Sequence, residues 1–309
     1  MSFENAIVVT NKTRLEQLVF RFNTRAQARF YIEHSGGDFL AYQREHEQFE
    51  SSLGKVQEIL GKYLNVKLVD RQYLPSFVFS AKDLIVVIGQ DGLVANTAKY
   101  AKGLPIIAIN PDPERYDGIL LPFTPENFKD GLFAALEQKQ HAKMVTMAEV
   151  QLNDGQRLLA FNDFFIGPSS HVSARYRLSY MKYSEDQSSS GIIISTGAGS
   201  TGWLSSVLNM TNGIVKTFDT QLHQPLDFRL GWEDRQLVFV VREPFRSLHS
   251  KANVIAGLIR GEDNLTIESY MPVNGKIFSD GIENDYLDFN SGAIAKVGIA
   301  KEAANIVMK

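Results

Sequence analysis

The sequence predicts a two-domain chain: an α/β N-terminal domain with a parallel sheet, followed by a β-rich C-terminal domain. Three observations carry this. Leu84-Ile85-Val86-Val87-Ile88 reads as a strand buried on both faces, and it runs into the tight turn Gly89-Gln90-Asp91-Gly92. A helical stretch from Leu93 to Ala101 follows, then Gly103-Leu104-Pro105 and a second apolar strand, Ile106–Ile109, which completes a βαβ unit. Beyond Lys143 the pattern changes to short strands separated by Asn-Asp-Gly, Glu-Asp and Asn-Gly turns. The domains are expected over residues 1–141 and 142–309, the final stretch of about 15 residues being free to return to the first.

In chain order, Ala6–Thr10 is a short strand, with Asn11 or Thr13 available to cap a helix. Arg14 to Leu60 is helical, broken at Gly36-Gly37-Asp38, with Leu15, Leu18, Val19 and Phe22 on one side. Arg21, Arg25 and Arg29 fall four apart, as a basic stripe would: an anion-binding face, or a solvated face balanced by Glu33, Glu45, Glu47 and Glu50. Val66–Val69 is a strand. Asn110 to Gly118, with Pro111 and Pro113, is a rigid loop at the carboxyl end of the second central strand. A helix from about Glu126 to Gln140 is expected, capped by Thr124. Expected later strands are Met144–Leu152, Arg157–Ile166, Ala174–Tyr183, Gly191–Ser195, Asp227–Leu230, Gln236–Val241, Asn264–Met271 and Gly275–Phe278, with one helix, Thr201–Asn209.

Composition bounds the function. The 309 residues are 44% apolar and 22% charged, as in ordinary globular domains, and the net charge of −3 gives no bulk attraction to nucleic acid or an anionic membrane. The absence of cysteine excludes disulfides, thiolate metal sites and Cys nucleophiles. No apolar run approaches the ~20 residues of a membrane span, and Met1–Ala6 has no basic region leading into an apolar run, so a cytoplasmic protein is expected. There is no P-loop, protein-kinase catalytic loop, HExxH or GxSxG, and the six histidines lack ligand spacing, so no protein-held metal is expected.

Asp91 lies in the crevice at the carboxyl end of a parallel strand, where open α/β sheets bind ligands. Two readings are open: a phosphate or nucleotide site with Asp91 as acid or base, or a polar turn whose Asp caps the next helix. A second glycine motif, Gly197-Ala198-Gly199-Ser200-Thr201-Gly202, has GxGxxG spacing after a strand, with Asp219 beyond, so a Rossmann dehydrogenase is a rival. Its place in the β-rich half, and the hydroxyls of Ser195, Thr196, Ser200 and Thr201, weigh against that rival.

Together these pieces resemble the NAD kinase family. Gly89-Gln90-Asp91-Gly92 is similar to its Gly-Gly-Asp-Gly turn, Asn162-Asp163 to its Asn-Glu motif, Thr196–Trp203 to its Thr-rich glycine loop, and Phe278-Ser279-Asp280-Gly281 to its late Asp-Gly turn. Asn110–Arg115 and Ile166–Ser170 look nearest to the mitochondrial-type branch, whereas Arg14–Leu60 has no clear counterpart. The resemblance implies the family's two-domain fold and phosphoryl transfer from ATP, with Mg²⁺ or another divalent metal, to the 2′-hydroxyl of the adenosine ribose of NAD. It implies Asp91 as catalytic base. It also implies nucleotide contacts from Gly89, Gln90, Gly92, Asn110, Asn162, Asp163, Thr196, Gly197, Gly199, Ser200, Thr201 and Asp280, a cleft between the domains, and a homodimer or homotetramer. This sequence departs from the pattern at Gln90, Leu93 and Asp163, which replace Gly, Thr and Glu. If Gln90 needs φ > 0, it costs on the order of 1 kcal/mol. A working NAD kinase, a kinase for another acceptor and a non-catalytic dinucleotide-binding protein are the three activities these departures allow.

Overall fold

The computed structural model divides into two units, Met1–Lys143 with Asn305–Lys309, and Met144–Ala304. It describes residues 3–218, 225–261, 263 and 265–309, so Asp219 and Asn264 lie outside the described residues.

In the first unit β1 (Asn5–Thr10), β2 (Asn65–Asp70), β3 (Asp83–Ile88) and β4 (Pro105–Ile109) form a parallel sheet in the order β2-β1-β3-β4. Asn305 and Ile306 add a parallel pairing to Pro105 and Ile106. The chain passes from β1 to β2 through α1 (Arg14–Phe22), α2 (Arg25–His34) and α3 (Phe39–Leu60), and from β3 to β4 through α4 (Asp91–Ala98). These crossovers leave the central pair β1 and β3 toward opposite edges, so the loops beyond their carboxyl ends part and open a crevice. Val56 and Leu60 of α3, with Phe128 and Leu132 of α5 (Phe128–Leu136), cover Val8, Val86 and Ile107 on one face. Ile85 and Val87 are equally buried, which requires cover on the other face, and α4 packs on β3 and β4. The strand read as buried on both faces is so throughout.

The long helical segment breaks twice, not once. Asn23, at φ 65, ends α1 in a left-handed cap, and Thr24 caps α2 through Gln27 N. The expected basic stripe is therefore divided: Arg21 belongs to α1, while Arg25 and Arg29 belong to α2 and stand 5.7 and 5.5 Å from the Phe39 ring. Thr13 is the cap of α1, in a reciprocal capping box with Glu16. Asn127, not Thr124, occupies the N-cap of α5, because Phe128 N bonds back to the Thr124 carbonyl and the intervening residues form a turn.

The second unit opens with most of β5 (Ala142–Leu152), followed by β6 (Arg157–Ala160), β7 (Asp163–Pro168), β8 (Ala174–Tyr180), β9 (Tyr183–Ser189) and β10 (Ile192–Ser195). After α6 (Trp203–Phe218) come β11 (Gln236–Val241), β12 (Ala256–Arg260), β13 (Leu265–Ser269), β14 (Gly275–Ser279), β15 (Ile282–Asp288) and β16 (Ile294–Val307), whose last residues return to the first unit. One antiparallel sheet runs β12-β11-β10-β7-β14-β15. It shares a core with a second group of strands: Phe164, Ile194 and Phe239 from the first meet Tyr176, Ile267 and Val297 from the second. The outer face of the first sheet carries Val238 and Val240, covered by Leu204 and Leu208 of α6.

Several expectations are corrected here. The single strand expected over Arg157–Ile166 is two, interrupted at Phe161-Asn162. The strand expected over Ala174–Tyr183 ends at Tyr180 as the first arm of a hairpin, and Tyr183 opens its second arm, β9, which buries Glu185, Gln187 and Ser189; a polar inward face hides the alternation that marks strands. Asp227–Leu230 is irregular, and α6 runs well past Asn209.

Candidate functional site

In the first unit the crevice between β1 and β3 holds a cavity of 290 Å³ lined by Lys12, Arg14, Glu45, Arg71, Gln90 and Asp112, among others. Gln90 stands before α4 with φ −105 and ψ 166, ordinary extended backbone, so the left-handed cost considered for it does not arise. Its side chain instead bonds Tyr116, opposing the burial that pushes the Tyr116 phenol above its usual range.

Asp91 is the first residue of α4, and its carboxylate does not cap that helix. Oδ1 accepts the Leu120 N–H at 2.7 Å, which ties the turn after β3 to the loop after β4. The other oxygen, Oδ2, has no hydrogen-bond partner among the described residues. Gly92 is exposed in the first turn, with open space where a Cβ would stand.

Asn110 is buried, with its amide spent inside the loop. Nδ2 donates to the Tyr116 carbonyl at 2.9 Å, and Oδ1 accepts the Asp112 N–H at 3.0 Å. The same loop is anchored to α3 through Glu45, which is buried and pairs with both Arg14 and Arg115; Arg115 also holds Asp112 at 3.2 Å. Arg14 and Arg71 are not among the residues expected at the site, and Glu45, expected to balance a solvated basic face, is buried against Arg14 and Arg115 instead. The available signal was position: Arg14 and Arg71 each follow closely on a predicted parallel strand.

In the second unit the interruption between β6 and β7 gathers three of the motifs. The Asp280 carboxylate accepts N–H bonds from Phe161 at 3.0 Å, Asn162 at 2.6 Å and Asp163 at 3.3 Å, while Asp280 N returns to the Asp163 carbonyl. Asp280 thus braces the bend that presents Asn162 and Asp163. The Asn162 side-chain amide makes no hydrogen bond among the described residues. Burial, and secondly the negative charge of Asp280, push the Asp163 carboxyl up to about 7.

The glycine loop is built by its own side chains. Thr196 Oγ1 donates to the Phe161 carbonyl at 2.6 Å and accepts Gly199 N–H at 3.2 Å; Ser200 Oγ donates to the Gly197 carbonyl at 2.8 Å. A Cβ at Gly197 would overlap the Gly231 carbonyl oxygen, and one at Gly199 the Asn162 carbonyl oxygen. Close backbone packing therefore demands these glycines, and Thr196 and Ser200 are buried, whereas Thr201 and Gly202 are exposed. The GxGxxG spacing follows a strand flanked by antiparallel neighbours on both sides, not the first strand of a parallel βαβ unit, so the dehydrogenase rival loses its structural context.

The histidine expectation also changes in part. Glu16, His46 and Glu50 bring possible ligand atoms within 4.8 Å of one another, across α1 and α3. One Glu16 oxygen is already used on Thr13 N, and His46 Nδ1 lies 3.1 Å from Thr13 Oγ1.

No protein-family model matches the sequence, and no curated protein matches it. The structure is similar over nearly its whole length to solved NAD(H) kinases. An NAD kinase from Archaeoglobus fulgidus in complex with ATP is 17% identical, with 98% of this chain and 93% of that chain covered and a TM-score of 0.59. Yeast NADH kinase complexed with NADH is 13% identical, with 99% and 84% covered and a TM-score of 0.61. At such identities the likeness is one of fold: the chain has the two-domain NAD kinase fold.

Proposed function

We propose that this chain is an NAD kinase, transferring the terminal phosphoryl group of ATP to the 2′-hydroxyl of the adenosine ribose of NAD to give NADP. The observation that carries the reading is Asp91. It stands at the carboxyl end of β3, at the point where the crossovers diverge, with one oxygen fixed by the Leu120 N–H and the other without a protein partner. Such a carboxylate is oriented and still able to accept a proton. In the reaction the ribose oxygen bonds to the terminal phosphorus as the bond to the leaving ADP oxygen breaks, and Asp91 takes the hydroxyl proton. Asn162, with an uncommitted amide, and Asp163 supply hydrogen bonds to NAD, and Thr201 presents the free hydroxyl of its loop.

A divalent cation of the magnesium type takes oxygen ligands, chiefly from substrate phosphates with one or two carboxylates. Asp112, a carboxylate that lines the same cavity as Gln90 and Gly92, is a group of that chemistry, and such an ion would supply charge neutralisation on the phosphates when bound. The kinship with the mitochondrial-type branch rests on Asn110–Arg115 and Ile166–Ser170 alone. A homodimer or homotetramer and a cytoplasmic location complete the proposal. Among the described residues no helix is long and apolar enough to cross a membrane.

The test is NADP formation from purified protein, ATP, Mg²⁺ and NAD, beside Asp91→Asn. NADP from the wild type, lost in the variant while NAD still binds, is expected. No NADP with ATP, polyphosphate, Mg²⁺ or Mn²⁺, despite saturable NAD binding, would replace the kinase with a dinucleotide-binding protein on the same fold.

A further inference from the structure

We infer that Glu16, His46 and Glu50 form a binding site for a divalent first-row metal ion of the zinc type, which staples α1 to α3. None of the three lines the cavity around Gln90, and all belong to the Arg14–Leu60 segment, for which the NAD kinase resemblance offers no counterpart. The sequence sets two of them on one face, because His46 and Glu50 are four apart on α3. Glu16 lies in the first turn of α1, and packing brings one donor atom from each residue within 4.8 Å of the others. An ion about 2.1 Å from each donor holds tetrahedral ligands about 3.4 Å apart, so closure needs a shift on the order of 1 Å. Glu50 is free to make it: the residue is exposed, and its carboxylate has no hydrogen bond or ion pair among the described residues.

The other two ligands are held from behind, both by Thr13. Its N–H donates to Glu16 Oε2 at 2.7 Å, and its Oγ1 lies 3.1 Å from His46 Nδ1. With the imidazole proton on Nδ1 and donated to that hydroxyl oxygen, His46 presents the lone pair of Nε2. Glu16 Oε1 has no partner among the described residues. Metal-bound imidazoles and carboxylates are oriented by hydrogen bonds of this kind through their other polar atom.

Charge points the same way. Lys12 and Arg25 border the hollow beside Glu16 and His46, yet Lys12 places its ammonium 4.3 Å from the Phe20 ring and Arg25 stands over Phe39. Neither pairs with Glu16 or Glu50, so two neighbouring carboxylates lack a side-chain cation among the described residues. The imidazole in the set selects a first-row ion over Mg²⁺ or Ca²⁺, which take oxygen ligands. The helices stand to gain from it. The apolar cluster joining α1, α2 and α3 rests on Leu15, Ile32 and Phe39, and a bond from α1 to α3 reinforces that small core.

The test is calorimetric titration of the full chain, freed of metal with EDTA, with zinc chloride in the presence of excess Mg²⁺, which keeps oxygen-ligand sites occupied. Wild type, His46→Ala, Glu50→Ala and Glu50→His are compared. The wild type is expected to bind one zinc per chain. Glu50→Ala should weaken binding about 10-fold or more while leaving the metal-free melting temperature unchanged, because that side chain is exposed and unpartnered among the described residues. Glu50→His, which exchanges one ligand for another, should retain zinc, and His46→Ala should lose it. Zinc at about 100 times its Kd should raise the melting temperature of the wild type and not that of Glu50→Ala. No zinc binding by the wild type would overturn the assignment and leave His46 as an ion-pair partner of the two acids. Binding unchanged in both Glu50→Ala and His46→Ala would place the ion elsewhere and overturn it equally.

Discussion

Replacing Asp163 by Asn should remove a pH dependence that the native protein carries in its own stability. Asp163 opens β7 at the bend braced by Asp280, and burial plus the Asp280 charge hold its carboxyl at about 7 against an ordinary 3.8. A folded-state pKa raised above the unfolded value means that folding favours the protonated acid. Its contribution is complete below the unfolded pKa and is lost as pH rises through about 7. A displacement of that size corresponds to about 4 kcal/mol as a ceiling, and the partial exposure of the side chain brings the expected effect to about 2 kcal/mol. Asn has nearly the same shape and no charge to bury. Urea midpoints of wild type and Asp163→Asn, measured from pH 5 to pH 8.5, should therefore diverge: the wild type loses stability relative to the variant as pH rises, by about 2 kcal/mol across the range, and the difference levels off above about 7. Every other ionisable group is common to both proteins and cancels in the difference. A difference that stays constant across the range would refute the argument that Asp163 is the group titrating there.

Two glycines should respond in opposite ways. Gly197→Ala places a methyl group on the Gly231 carbonyl oxygen and should destabilise the fold by about 3 kcal/mol or more, seen as a large fall in the denaturant midpoint. Gly92→Ala meets nothing within 4 Å and improves helix propensity, so stability should rise by about 0.5–1 kcal/mol while the donor KM rises, if backbone at that turn approaches phosphate. Gln90→Gly should lower the KM for the phosphate donor more than that for NAD, because Gln90 lines the cavity; initial-rate kinetics at varied donor concentration decide it.

How much was legible depended on how far each feature is encoded along the chain. The buried strands β3 and β4, the turn between β3 and α4, and the change to a β-rich half are local patterns of hydrophobicity and turn chemistry, and each is present in the structure. Strand β9 escaped because its inward residues are Glu185, Gln187 and Ser189, satisfied by partners such as Asn253 and Tyr176 that are distant in sequence. The break at Asn23 escaped because an Asn in a left-handed cap carries a weaker signal than Gly36-Gly37.

By itself the sequence determined the central βαβ unit, the change to a β-rich half, the absence of thiol chemistry, and the placing of Asp91 at a strand's carboxyl end, since these follow from residue type and spacing alone. Tertiary structure decided what the polar groups do. It turned Asn110, Thr196, Ser200 and Asp280 inward as braces, left the amide of Asn162 and one oxygen of Asp91 uncommitted, and assembled Lys12 and Arg71 around one cavity. The physical reason is that a hydrogen-bonding group acts on whatever the fold brings within about 3 Å of it. For Thr196, Asp280 and Asp91 those partners are tens of residues or more away along the chain: Thr196 meets the Phe161 carbonyl, and Asp91 meets the Leu120 N–H, only once the backbone has folded.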